Sequence, residues 1–161
     1  MVNARKVIRK IKKREHGQSL VELAMSLTII AFLLSGAVDL GRAYFVYVAL
    51  RDAAQEGAVY GSLAPSDIDP GIYSRIQESS TGPINFSSDP YLTWPPSIVY
   101  EGTAACSGFY LDGTTVKANA IRVSIEYDFP ITMAFIQALV PGNSITLTAS
   151  STYTILFPPC N

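Results

Sequence analysis

Three groups of residues carry types and spacings that bear on chemistry. The first is Gly17-Gln-Ser-Leu-Val-Glu22, which joins a basic leader to an apolar run. Glu22 is the single charge between Leu20 and Val38. A carboxylate in such a run costs about 2.5–3.5 kcal/mol at mid-bilayer and less near an interface, so it needs water or a cationic partner. None of the other glycines has Glu five positions later, and this one stands at the junction of the two segments. The second group is Cys106 and Cys160, with no histidine after His16 to complete a metal site with them. The third is acidic. Asp67-x-Asp69-x-Gly71 has the start of a calcium loop without its later ligands, and a capped turn explains it more simply. Glu126 and Asp128 share the wet face of a predicted strand. Neither a phosphate-binding glycine loop nor a Gly-x-Ser-x-Gly elbow occurs, so the sequence predicts no enzyme, no cofactor and no metal.

The elements that position these groups begin with the leader. Arg5, Lys6, Arg9, Lys10, Lys12, Lys13 and Arg14 stand against Glu15 for a net +6. Leu20 to Val38 spans 19 residues, about 28 Å as a helix, close to the thickness of a bilayer core. Basic residues on its N-terminal side fix the leader in the cytoplasm and send the residues beyond Val38 across the membrane. The whole chain of 161 residues has a formal charge of −1, so the part after the leader carries −7. An acidic exported portion argues against nucleic-acid binding.

The helical pattern continues past the apolar run. Leu40, Tyr44, Tyr47, Leu50 or Arg51, Ala54, Ala58 and Gly61 recur at three- and four-residue steps, with Arg42, Asp52 and Glu56 off that stripe, until Pro65 ends it. Ala54, Gly57, Ala58 and Gly61 form a narrow ridge suited to close contact with a sheet of the same domain. Asp39 and Arg42, three residues apart, read as a surface pair. Asp69 before Pro70 predicts an N-cap and a short helix to Ser79, with Ile72, Tyr73 and Ile76 facing inward. Residues 79–96 read as loop, with Tyr91 and Trp94 plugging the edge of a small core.

Strands dominate the remainder. Ser97 to Tyr100 and Phe109 to Leu111 are short candidates, the second followed by an Asp112-Gly113 turn. From Ala118 to Phe129, Ile121, Val123, Ile125, Tyr127 and Phe129 alternate with polar residues, as in an antiparallel sheet covered on one side. Residues 130–140 are too apolar for a free loop and suggest a helical turn. Pro141-Gly-Asn reverses the chain into a last alternating strand, Ile145 to Leu156. In an exported domain Cys106 and Cys160 form a disulfide by default, closing a loop worth roughly 4 kcal/mol at most; free thiols are the alternative.

Taken together, Gly17-Gln-Ser-Leu-Val-Glu-Leu-Ala24, Asp39-Leu-Gly-Arg42 and Arg51-Asp-Ala-Ala-Gln-Glu-Gly-Ala58 resemble the type IV pilin-like proteins, and more closely the TadE-like pseudopilins of Flp/Tad pilus systems. Residues 121–130 and 144–151 resemble the family's strands more loosely. Gln18 stands where classical type IV pilins have Phe, and Leu23 where short Flp pilins have Tyr. The resemblance implies an α+β, type IV pilin-like fold, its long N-terminal helix carrying a small antiparallel sheet on its second half. It divides the chain into a leader, 1–17, an 18–39 transmembrane and assembly segment, and a 40–161 exported domain. It implies cleavage by a prepilin peptidase between Gly17 and Gln18 and an assembly role for Glu22. The implied partners are other pilins or pseudopilins and an assembly platform in the inner membrane. A secreted binding domain released by signal peptidase after Ala37 is the competing reading.

Overall fold

The computed structural model describes residues 4–79, 82–103, 109–137 and 141–156. Its first element, α1, is a helix over Ala4–Leu63, so the helix begins within the basic N-terminal segment. The chain divides into two compact units, Met1–Leu40 and Gly41–Asn161. In the first, almost every described side chain from Gly17 to Leu40 is exposed; Asp39, at 8%, is buried.

The second unit contains the packed core. Its part of α1, Gly41–Leu63, presents Val46, Leu50, Ala53, Ala54, Gly57, Ala58 and Gly61 to the interior. From Leu50 on, this stripe follows the predicted one at Leu50, Ala54, Ala58 and Gly61; before Leu50 it departs from it. Leu40, Tyr44 and Tyr47, expected on the inward face, are 74%, 65% and 41% exposed. Apolar residues occupy every face of the helix between Leu40 and Leu50, so a 3.6-residue period cannot choose among them. The choice is steric: Ala and Gly further along let a neighbour approach one face closely, and that face continues back through Leu50 and Val46. A Cβ on Gly61 would lie 2.5 Å from Ile121 Cδ1 and 2.9 Å from Ile72 Cδ1, and one on Gly57 would lie 2.7 Å from Ile76 Cγ1. The ridge of small residues is therefore shared between the sheet and a short helical segment after Pro65.

That segment starts earlier than the Asp69-Pro70 signal suggests. A π-turn over Ile68–Ile72 runs into α2, Tyr73–Glu78, with Asp67 at the capping position. The Asp67 side chain does not cap; its carboxylate accepts a 2.6 Å hydrogen bond from the Tyr60 hydroxyl. Ile72 and Ile76 are fully buried, as their spacing predicts.

β1, Leu92–Glu101, begins inside the stretch read as loop and includes Trp94, Pro95 and Pro96. Prolines without N–H groups disguise a strand in sequence, and they are tolerated here because β1 is an edge strand with a register break between Thr93 and Ser97. Trp94 packs edge-on against Tyr73, with ring centroids 5.5 Å apart, and Tyr91 against Tyr127 at 6.2 Å. β2, Phe109–Leu111, and β3, Thr114–Val116, form a separate hairpin. Its turn residues Asp112 and Gly113 have φ of 45° and 81°, the left-handed pair that a two-residue hairpin requires.

β4, Ala120–Pro130, is the central strand of the order β1-β4-β5, both pairings antiparallel. Ile121, Val123, Ile125, Tyr127 and Phe129 are all buried, so its alternation is legible residue by residue. Ile131 and Met133 continue the buried side into a short helix, α3, Ala134–Gln137. β5, Ser144–Thr154, pairs with β4 along its whole length without a break. The architecture is α+β, with the second part of α1 packed against a three-stranded antiparallel sheet.

Candidate functional site

Gly17, Gln18 and Glu22 lie on α1 with their side chains in the open, and nothing lies within 4 Å of a Cβ placed on Gly17. Gln18 and Glu22, four residues apart, share a helix face. The Gln18 amide donates to a Glu22 carboxylate oxygen at 3.3 Å. Around them Leu20, Val21, Leu23, Met25 and Leu27 are each about 60% exposed, as are most of the apolar residues on to Val38. From Gly17 onward the helix is long and apolar enough to cross a membrane, with a mean hydropathy of 2.0 over its most apolar window and none of that window buried. In water such a surface is an unsatisfied hydrophobic patch running all round a helix. Lipid tails or neighbouring helices satisfy it.

Polar groups of the second unit serve structure. Tyr60 donates to Asp67 and lies under the Arg75 guanidinium, 5.5 Å from its ring centroid. The hydrogen bond to Asp67, then burial, raises its phenol pKa above the ordinary value. Tyr100 donates to the Pro65 carbonyl, and burial pushes its pKa up to about 12. Arg42 donates to Thr132 Oγ1 at 2.9 Å and stacks over Phe129 at 5.6 Å. Arg42 is exposed, as its place in a surface pair suggests, whereas Asp39 is buried. These contacts join positions up to 90 residues apart, and no local sequence signal announces them. Glu126 and Asp128 do face solvent, where Thr146 donates to Asp128 at 2.7 Å.

Surface depressions among the described residues of this unit include the following pair. One is lined by Asp52, Glu56, Arg75 and Glu78, the other by Arg42, Phe45, Tyr127 and Phe129. Ser79, which also lines the first, donates its hydroxyl hydrogen to the Ile76 carbonyl at 2.7 Å. Among the described residues, no three His, Cys, Asp or Glu side chains are grouped as metal ligands. Cys106 and Cys160 lie outside the described residues.

No curated protein and no solved structure matches the chain. A family model does. Residues 17–59 match the model described as TadE-like protein, a Tad pilus-associated family and not one known for enzymes. The match starts at Gly17, runs through Glu22 and the exposed apolar turns, and ends within the buried stretch of α1. By that match, residues 17–59 of this chain are similar to the TadE-like family.

Proposed function

We propose that this chain is a pilin-like structural subunit, a TadE-type minor pseudopilin, that works in assembling a Tad pilus. A prepilin peptidase removes residues 1–17 at the cytoplasmic face of the inner membrane. Residues 18–39 anchor the mature chain and pack among other pilin helices, and the acidic domain stands on the far side. A disulfide between Cys106 and Cys160 ties down the C-terminal end in that oxidising compartment.

The observation that carries this reading is the coincidence of three features. The family match, the exposed apolar helix and the one carboxylate within it all start within six residues of Gly17. A generic secretion signal has no use for that carboxylate. Cleavage after Gly17 creates an α-amine on Gln18, mostly protonated near pH 7, one turn from Glu22 on the same helix face. In a stack of axially offset subunits, the Glu22 carboxylate of one meets the new amine of another. In low dielectric that pairing offsets much of the cost of burying either charge, whereas an unpaired partner is strongly penalised. The pair therefore sets the register between subunits and adds little net stability.

N-terminal sequencing of the chain recovered from membranes tests the proposal. The expected start is Gln18, and Gly17→Leu should leave a precursor longer by the leader. A mature start at Val38 would overturn the proposal in favour of a secreted domain without its anchor.

A further inference from the structure

The two edges of the three-stranded sheet are built in opposite ways. β1 has Pro95 and Pro96, which lack N–H groups, a register break between Thr93 and Ser97, and Glu101 at its end. Proline, a bulge and charge are the devices by which sheets prevent edge-to-edge pairing. β5 has none of them. Its sequence Ser-Ile-Thr-Leu-Thr-Ala-Ser-Ser-Thr-Tyr-Thr contains no proline, glycine or charge, and its 11 residues pair with β4 in unbroken register. Among the described residues, β4 is its only strand neighbour. One face of β5 also remains partly uncovered: Ile145, on the side that faces the core, is 46% exposed.

We propose that β5 is an interaction surface for a second copy of this chain, pairing antiparallel with its counterpart across a two-fold axis at Ala149. The two three-stranded sheets then become one of six strands. Charge favours this arrangement over a parallel one. On the wet face, Asp128 accepts from Thr146 near one end of β5, and Arg122 donates to Thr152 near the other while pairing with Glu101 at 2.9 Å. Antiparallel pairing about Ala149 sets Thr146 opposite Thr152 of the second copy, so each acidic end meets the end where Arg122 and Glu101 neutralise each other. Parallel pairing would instead set the Asp128 and Glu126 ends of the two copies on the same side of the seam, where their like charges repel at longer range. On the opposite face the same register places Ile145 against Tyr153 of the second copy, a β-branched residue against an aromatic one. Because the axis is two-fold, the contact closes on itself and yields a dimer, not an open fibre. The inference concerns Gly41–Asn161 and does not depend on cleavage at Gly17.

The test is disulfide trapping in membranes between two differently tagged full-length copies. Thr148 and Ser150, both exposed, face each other across the proposed axis at a Cβ separation of about 5 Å. Co-expressed T148C and S150C copies should give a mixed disulfide-linked dimer in greater yield than either variant alone. V99C, on β1, should give none above the background of the unaltered chain. The double variant T148K/S150K places lysine opposite lysine and should lower chemical cross-linking of the full-length chain at least about tenfold, with an unchanged thermal transition. Absence of the mixed dimer, an equal yield from V99C, or trapping of β5 on a different protein alone would each overturn the proposal.

Discussion

The two parts of α1 are one helix by hydrogen bonding and two by solvent. From Gly17 to Val38 large apolar side chains stand exposed on all sides; from Val46 to Gly61 small ones lie buried along a single stripe. Size is the lesson of the contrast. Leu, Ile, Phe and Met all round a helix give greasy area to any apolar solvent but fit no particular neighbour. Ala53, Ala54, Gly57, Ala58 and Gly61 give little area, yet they let Ile72, Ile76 and Ile121 come within close contact of the backbone. The first part is suited to lipid and to interchangeable helices, the second to one fixed partner. Substitutions should therefore affect the first part through assembly and the second through folding.

The largest contrast is expected at Glu22. In Glu22→Ala, cleavage and membrane insertion should persist, because neither Gly17 nor the apolar run is altered, while pilus output falls to background. Glu22→Gln should behave alike, since an amide lacks the charge. Normal pilus output from the alanine variant, counted beside intact processing, would return Glu22 to an incidental interfacial residue.

Next in size is Leu50→Ala, which empties a fully buried site and should destabilise the domain by about 2–5 kcal/mol. Leu33→Ala, at a 69% exposed position, should change domain stability by less than about 0.5 kcal/mol. Denaturation of the full-length protein in detergent, followed by near-ultraviolet circular dichroism, compares them directly. Equal losses at the two sites would erase the distinction between the parts.

A finer test addresses the small-residue ridge. Gly61→Ala should cost about 1–3 kcal/mol by forcing Ile121 aside. Ile121→Val removes the Cδ1 atom in the way and should cost about 0.5–1.5 kcal/mol alone. Together the two should cost less than their sum, and strict additivity in the double-mutant cycle would show that the close approach is not what selects glycine there.

The smallest effect concerns alkaline pH. Burial raises the Tyr100 phenol from its ordinary value of 10.0 to about 12, so the folded domain favours the neutral form. Its contribution is fully present below pH 10 and is lost as pH rises toward 12. Tyr100→Phe should flatten that part of the alkaline decline, and tyrosinate absorbance should show one fewer late-titrating phenol. An unchanged alkaline profile would mean that Tyr100 ionises as it does in the unfolded chain.

Much of this molecule is written locally. The 19-residue apolar run, its one carboxylate and the basic N-terminal segment are legible because the capacity to cross a membrane depends on composition and length alone. β4 is equally plain, since a strand wet on one face must alternate, and the turns at Asp112-Gly113 and Pro141-Gly-Asn declare themselves by residue type. Tertiary structure decided what local pattern leaves degenerate. It chose Val46 over Tyr44 and Tyr47 because only the face continuous with Gly57 and Gly61 admits a close neighbour. It turned Trp94-Pro-Pro into an edge strand, because an edge leaves room for residues that cannot donate. It gave the Asp67 carboxylate to Tyr60 instead of a helix cap, and Arg42 to Thr132 and Phe129, partners that the sequence holds far apart. A period constrains the direction in which a side chain points along its own element. Which other element meets it there is set only when the whole chain packs.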